Sequence, residues 1–423
     1  MLDSNYDVII VGGRVAGASL AARLTAPNVL LLERGTHPSQ PAASSPVIYA
    51  PAMSLLDEIG LSEADYAAGT PQLKQWVMEA EGIFRFAISV WEKDGRDYSY
   101  AVDRARFDAA LWAAASERPN VTARQGMSVL SLLWDDDLVV GVRVKETETG
   151  EVHEIGSRLV VGAGGRFDIV AREVGAATYD EHTDEPTSVY YAYWRGVQPL
   201  DMPGMHLYST GGDYGLLRMD SADGTAAIVI EGRTDVLTPR DGERTTAFYH
   251  RFLSEHPGFY AALADAEPVT DVHGMKRVGN LYREAGGPGW ALVGDALHQK
   301  DPLDGQGIYD ALYTAKRLST AINAWCDGAD WDAALEGYER DVRQETQPMY
   351  HATLARVHRE IYNRRPGWFM RYPARWLYED PAYRRHWSRL FVRDIPPEAF
   401  FSMRYVLPAL LRGVLRDLRR VLT

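Results

Sequence analysis

The sequence predicts an α/β fold with α+β insertions: a parallel-sheet domain in discontinuous pieces, an inserted antiparallel sheet, and a helical C-terminal region. Three observations predict it. A strand–turn–helix–strand unit spans Tyr6–Gly35, YDVIIVGGRVAGASLAARLTAPNVLLLERG. Apolar strands ending in glycine turns return near residue 160 and again near 290. Between them, segments with period-two alternation occupy 73–100 and 186–275.

In the first unit, Val8 to Val11 runs into a glycine-rich turn, an Ala- and Leu-rich helix follows, and Val29 to Leu32 ends at Glu33. This is a βαβ dinucleotide-binding fingerprint. Glycines let the backbone turn sharply and approach a pyrophosphate, and a helix N-terminus offers it unpaired N–H groups. The pattern G-x-G-x-x-G would place glycines at 12, 14 and 17, but position 14 is Arg, and Gly13 fills the unconstrained slot. Glu33 lies 21 residues after Gly12, where a carboxylate can accept hydrogen bonds from a ribose.

Gly35 to Pro51, rich in Pro and Ser, reads as a loop, and Met53 to Ile59 as a short helix closed by Gly60. Residues 73–100 read as strands with turns at Gly82 and Asp94-Gly95. Arg104 to Ala115 switches to helical spacing. Residues 121–155 predict a hairpin turning at Thr149-Gly150, before the apolar run Leu159 to Val161 and the stretch GAGGRFDIVAREVG. SVYYAYWRGV, GMHLYST, YGLLRMD and TAAIVIEGR read as antiparallel strands, with a polar helix around 239–255. Strands return at Val278 to Tyr282 and Trp290 to Val293, then a loop feeds a helix, and from about Ala329 the chain is helical and basic. The expected domains are 1–72, 101–178 and 276–328 together; 73–100 and 179–275 as a substrate-binding sheet; and 329–423.

Bulk properties narrow the function. At 423 residues the chain suggests two intimately packed domains. Asp3 and the absence of a basic leading region argue against a secretory signal. No run of eighteen apolar residues exists, so no membrane span is expected, and a cytoplasmic location is the simplest reading. Cys326 is the one cysteine, which excludes an internal disulfide and a Cys-rich metal site. His351 and His358, seven apart, lie too far along a helix for one metal, so none is expected. The net charge of −13 argues against nucleic acid. Residues 359–423 hold 14 Arg against six acidic residues, a net of +8, so the rest carries −21.

Two further pieces identify the fingerprint. Leu159-Val-Val-Gly-Ala-Gly-Gly-Arg166 precedes a helix, and Gly294-Asp295, Asp301-Pro302 and Gly305-Gln306-Gly307 open another. With the first unit, they resemble the FAD-binding motifs of the flavoprotein monooxygenase superfamily (the para-hydroxybenzoate hydroxylase fold), which includes flavin-dependent halogenases and geranylgeranyl-type reductases. The resemblance covers about residues 5–325. GDALHQKDPLDGQGIYDA, its most specific part, is similar to the family's GDAxHxxxPxxGQGxxxAxxDA.

The resemblance implies a Rossmann-like FAD-binding domain. FAD contacts would come from Gly12, Gly13, Arg14, Ala16, Gly17, Glu33, Arg34, Arg104, Gly164, Gly294, Asp295, Pro302, Gly305, Gln306, Gly307 and Ile308. Asp295 would accept from the ribityl chain, Arg104 would reach the FAD phosphate or ribityl region, and Gly305 to Gly307 would lie under the isoalloxazine, where a helix N-terminus stabilises negative charge. Pro302 would stand beside the reactive edge. The implied activity is FAD-dependent oxidation: NAD(P)H reduces FAD, and O2 forms a C4a-hydroperoxide that oxygenates an apolar or aromatic small molecule. Reduction of C=C bonds in a lipid-like substrate, or less strongly halogenation, is the alternative. Three departures stand out: Arg14 replaces a glycine, Gly164 replaces the Asp of the family's GADG motif, and the halogenase signature W-x-W-x-I-P is absent, with Lys74 read as part of a solvated face.

Substrate-side candidates are His298, as a proton donor or a loop-shaping residue, and Tyr191, Tyr193, His206, Tyr208 and Arg218 on the inserted sheet, whose alternation sends only half inward. Arg218, polar within LLRM, could grip a carboxylate or phenolate. The tail carries Met403, Val406, Leu407, Leu410, Leu411, Val414, Leu415, Leu418, Val421 and Leu422 at helical spacing opposite Arg404, Arg412, Arg416, Arg419 and Arg420, and Pro408 could kink it. Such a helix packs on its own domain or a dimer partner, or docks on an anionic membrane or greasy partner.

Overall fold

Asn5–Val11 pairs in parallel with Val152–Gly162 on one side and with Val29–Leu32 on the other. Trp290–Leu292 and Val121–Arg124 extend this sheet in parallel at its two sides. The computed structural model describes residues 5–25, 27–39, 45–80, 84–363, 367–399 and 402–422; the turn expected at Gly82 and residues 40–44 of the first loop lie outside these. Val8 to Val11 and Val29 to Leu32 are buried throughout, in one core with helix residues such as Ala18 and Leu20 and with Leu132, Val142 and Val144, so the sheet has no polar side. The helix Val15–Arg23 lies so close to the first strand that a Cβ on Gly17 would stand 1.8 Å from the Gly12 carbonyl oxygen.

The expected hairpin proves to be a three-stranded meander. Gly126, at φ +71°, breaks the first predicted strand, so residues 121–124 join the parallel sheet while Met127–Asp135 pairs with Leu138–Glu146 around a turn at Asp136. The third strand, Val152–Gly162, is continuous: its start pairs with the meander and its end belongs to the parallel core.

The second sheet runs from Glu267–Pro268 through Thr187–Arg195, Thr225–Arg233, Tyr214–Asp220, Gly204–Gly212 and Gln75–Ala80 to Phe84–Ser89. Gln75 pairs opposite Gly204, so stretches far apart in the chain share one sheet. Alternation divides its side chains. Val189, Tyr191, Tyr193, Leu217, Met219 and Val229 face inward, whereas Tyr190, Ala192, Trp194, Tyr208, Leu216 and Ile228 pack outward beneath the helix Thr245–Ser254.

The C-terminal helices Trp331–Arg356, Gly367–Glu379, Pro381–Phe391 and Met403–Leu422 close the inner side. Trp387 and Phe391 pack edge-on against Trp76 at 5.7 and 5.6 Å. The last helix runs through Pro408 without a break. Among the described residues no helix is long and apolar enough to cross a membrane.

Candidate functional site

The glycine turns of the parallel sheet and the inner face of the second sheet enclose one cavity of about 920 Å³. At one end it is lined by Gly12, Arg14, Ala16, Glu33, Arg34, Arg104 and Gly164, in the middle by Arg166 and Asp295, and beyond them by Pro302, Gly305, Gly307 and Ile308. The far wall is Val189, Tyr191, Leu217, Met219, Val229, Glu231, His273 and Met275.

Sequence reasons build the first end. Gly12 adopts φ +111°, and a Cβ there would meet the Ala163 carbonyl oxygen at 2.6 Å, so only glycine lets the two neighbouring parallel strands end this close together. Arg14 takes an extended conformation, φ −94°, so the turn does not need the missing glycine. Its guanidinium donates to Asp108 Oδ2 at 2.7 Å and to Ser39 Oγ at 2.9 Å. Arg104 grips the same carboxylate at 2.9 Å, so two guanidiniums share one anion and leave a net positive edge on the cavity. Glu33 accepts from the Gly13 and Gly35 amides, both at 2.8 Å.

Asp295 faces Arg166 at 3.4 Å. Burial raises its pKa, and Arg166 only partly opposes the shift. The glycine cradle, the helix N-terminus at Val15 and the cationic edge fit an anionic dinucleotide. Gly307 has nothing within 4 Å of a built Cβ, open room for a flat ring against the helix Gly307–Cys326.

Four of the sequence candidates stand behind this wall rather than in it. Gly13 is pressed against the Trp112 ring and Gly17 against the Gly12 carbonyl, the Gly294 amide donates to Thr314 Oγ1 at 3.1 Å, and the Gln306 carboxamide points to the C-terminal region. Gln306 donates to the Phe391 carbonyl at 2.9 Å and accepts from Arg393 at 3.0 Å. Arg393 also holds Asp310 at 2.9 Å, and Lys300 reaches the other Asp310 oxygen at 2.9 Å. Burial would raise Asp310, but Lys300 and Arg393 outweigh it and hold its carboxyl below the usual range.

On the substrate side the structure brings Tyr191, His298 and Pro302 to the cavity and directs the other candidates elsewhere. Tyr193 shares the inner face but is buried, its hydroxyl donating to the Val102 carbonyl at 3.4 Å. His206 pairs with Glu79 at 3.0 Å, Tyr208 packs against Phe259, and Arg218 binds Asp220 at 2.7 Å and the Gln198 carbonyl. The physical reason is parity: all three are even-numbered positions on strands whose odd positions pack on the sheet's inner face. Lys74 pairs with Asp97 at 3.4 Å on a half-exposed face. His298 stacks on Tyr282 at 4.2 Å; burial pushes its imidazole down to about 3, Asp310 pulling the other way. It is a neutral ring.

Sequence reasoning missed Glu231, which the fold sets beside Asp301 of the Asp301-Pro302 motif. Glu231 lies two residues beyond Val229 on the same strand face, and its Oε1 is buried with no hydrogen-bond partner. Burial, then the neighbouring Asp301 carboxylate, raise it well above the usual range. Thr187 donates its hydroxyl to Asp301. An acid ending the apolar run TAAIVI was the available signal. Away from the cavity, Asp180, His182 and His351 bring ligand atoms within 4.8 Å at the surface, while His358 turns to Glu185 at 2.6 Å.

Comparison with known proteins is consistent with this geometry. The model of the FAD binding domain family matches residues 5–353. The chain is 24% identical over 346 residues to a tryptophan 2-halogenase of Chondromyces crocatus, covering 80% of this chain and 65% of that protein. It is 28% identical over 320 residues to a digeranylgeranylglycerophospholipid reductase 2 of Methanopyrus kandleri, covering 73% and 74%. With a 3-demethoxyubiquinol 3-hydroxylase of Escherichia coli K12 it shares 27% over 354 residues, covering 78% and 83%. The solved structure of the flavin-dependent brominase Bmp2 superposes with a TM-score of 0.75 at 20% identity, covering 98% of this chain and 99% of that one. The chain belongs to the FAD binding domain family, within the FAD-dependent oxidoreductase superfamily.

Proposed function

We propose that the protein is an FAD-dependent monooxygenase that takes NAD(P)H as reductant and O2 as oxidant and oxygenates an apolar or aromatic small molecule. The observation that carries this reading is the wall opposite Pro302 to Ile308: Tyr191, Leu217, Met219, Val229 and Met275 surround two polar groups, Glu231 and His273. Such a wall binds an uncharged organic substrate by burial and orients it with one or two hydrogen bonds. FAD, when bound, supplies two-electron reduction and activation of O2.

The chain's own residues do the rest. Arg14, Arg104 and Arg166 neutralise the dinucleotide's charge, and the N-terminus of Gly307–Cys326 puts its partial positive charge beside the ring. Glu231, whose burial beside Asp301 favours its protonated form, donates a hydrogen bond from its carboxyl to a substrate oxygen or nitrogen when it holds that proton. The apolar wall excludes water. A reductase acting on C=C bonds of a lipid-like substrate is the second reading, favoured by the wall's aliphatic side chains.

Turnover under 18O2 separates them. An aromatic product carrying one 18O atom supports oxygenation. A product reduced by two hydrogens under anaerobic conditions, with no oxygen incorporated, contradicts it and supports the reductase.

A further inference from the structure

We propose that the C-terminal helix Met403–Leu422 docks the protein on an anionic lipid surface through an apolar stripe that it turns outward. Met403, Leu407, Leu411, Val414, Leu415 and Leu418 are 63, 49, 57, 37, 56 and 55% exposed. Their spacing places all six on one face. A surface helix ordinarily buries its apolar face against its own core; this one packs Tyr405, Val406 and Ala409 inward and leaves a second apolar arc turned outward.

The polar side is clamped inward. Arg412 binds the buried Asp380 at 2.6 Å, Arg416 binds Glu379 at 3.1 Å, and Arg375 with Trp376 takes Asp417. Ala409 is fully buried, and a Cβ on Gly413 would stand 2.2 Å from the Trp376 Cβ. The small residues therefore seat the helix closely on its neighbour Gly367–Glu379. The ion pairs fix its rotation, so the apolar stripe cannot turn in without breaking them.

Charge selects the occupant. The helix has five arginines and one acid, Asp417; Asp417, Arg412 and Arg416 are engaged in the ion pairs above. Arg404 is exposed within the apolar arc and Arg412 flanks it. Residues 359–423 carry +8 against −21 for the remainder, which orients this face toward a negative surface. A second copy of the chain would set two arginine-bearing ridges against each other. A convex ridge roughly 22 Å long, apolar at its crest with the exposed Arg404 able to snorkel to a headgroup, matches a helix lying in a bilayer interface.

Flotation of the full-length, FAD-loaded protein with vesicles tests this. Wild type should float with vesicles of equal parts phosphatidylglycerol and phosphatidylcholine and remain behind with phosphatidylcholine alone. The triple change Leu407→Ser, Leu411→Ser, Leu415→Ser should lower partition at least about tenfold, and Arg404→Glu roughly tenfold, with FAD content and far-UV CD unchanged. Three results would overturn the proposal: no flotation with anionic vesicles, flotation unaffected by the triple change, or a wild-type dimer that the triple change dissociates. Wild-type binding only to an acidic carrier protein, and to neither vesicle, would also overturn it.

Discussion

Arg14 and Asp108, 94 residues apart in the chain, meet at 2.7 Å at the dinucleotide end of the cavity. Asp108 is fully buried, and Arg104 holds its other side. The residue that breaks the glycine fingerprint therefore joins two segments of the parallel-sheet domain beside the cavity. Arg14→Gly should keep the fold, lower stability by about 1–3 kcal/mol, and weaken FAD binding several-fold. Asp108→Asn should cost more, because it leaves two guanidiniums facing each other. Urea unfolding and FAD titration of both variants check this; equal effects would remove Asp108 as the shared anchor.

Asp295 and Glu33 should separate cofactor binding from stability. Glu33 accepts two backbone N–H bonds, so Glu33→Ala destabilises the protein itself. The burial-raised pKa of Asp295 means its charged form is disfavoured in the fold, a cost that sets in as pH rises above the usual carboxylate range. Asp295→Ala should therefore leave apoprotein stability intact while reducing FAD retention well beyond the Glu33 variant. Thermal melts of apoprotein, with FAD content after dialysis, decide it.

Glu231 makes a pH prediction of definite sign. Its folded pKa is raised, so the folded state holds a proton that the unfolded state releases from the ordinary carboxylate value upward. Stability is then fullest at or below that value and falls as pH rises toward the folded pKa. Glu231→Gln, which keeps the donor and removes the titration, should flatten this fall in melting temperature and preserve the fold.

His298 predicts the opposite slope. Its imidazole is depressed from 6.5 to about 3, so the unfolded chain takes up a proton first. Stability is lost as pH falls from about 6.5 to about 3. His298→Phe, which preserves the stack on Tyr282, should remove that loss.

Arg393 lies far outside the fingerprint yet holds Gln306, Asp310 and Glu345. Arg393→Ala should destabilise by about 3 kcal/mol and weaken FAD retention, because the loop before Gly307–Cys326 loses its support from the C-terminal helices. A variant that melts lower but retains FAD normally would confine Arg393 to structure.

The parallel-sheet domain was legible because its strands are buried on both faces and so read as unbroken apolar runs, each closed by glycine. The inserted sheet was legible as strands but not as a site. Alternation predicts that half of its residues face inward without saying which half, and polar or aromatic character pointed to His206, Tyr208 and Arg218 on the outer face. Register settles the parity: Tyr191 opposite Val229, and Leu217 opposite Val229, put the odd positions on the cavity. Gln306 and Glu231 depend on contacts across 85 and 70 residues of chain, which no local pattern carries.

One cavity shared by FAD and substrate is the central claim, and a flavin difference spectrum tests it most directly. FAD-loaded wild type titrated with apolar aromatic ligands should show a saturable perturbation of the flavin bands. Leu217→Arg, which places a charge in the wall without touching the fingerprint, should keep its FAD and lose the perturbation. The same perturbation in the Leu217 variant, at full FAD occupancy, would contradict the account.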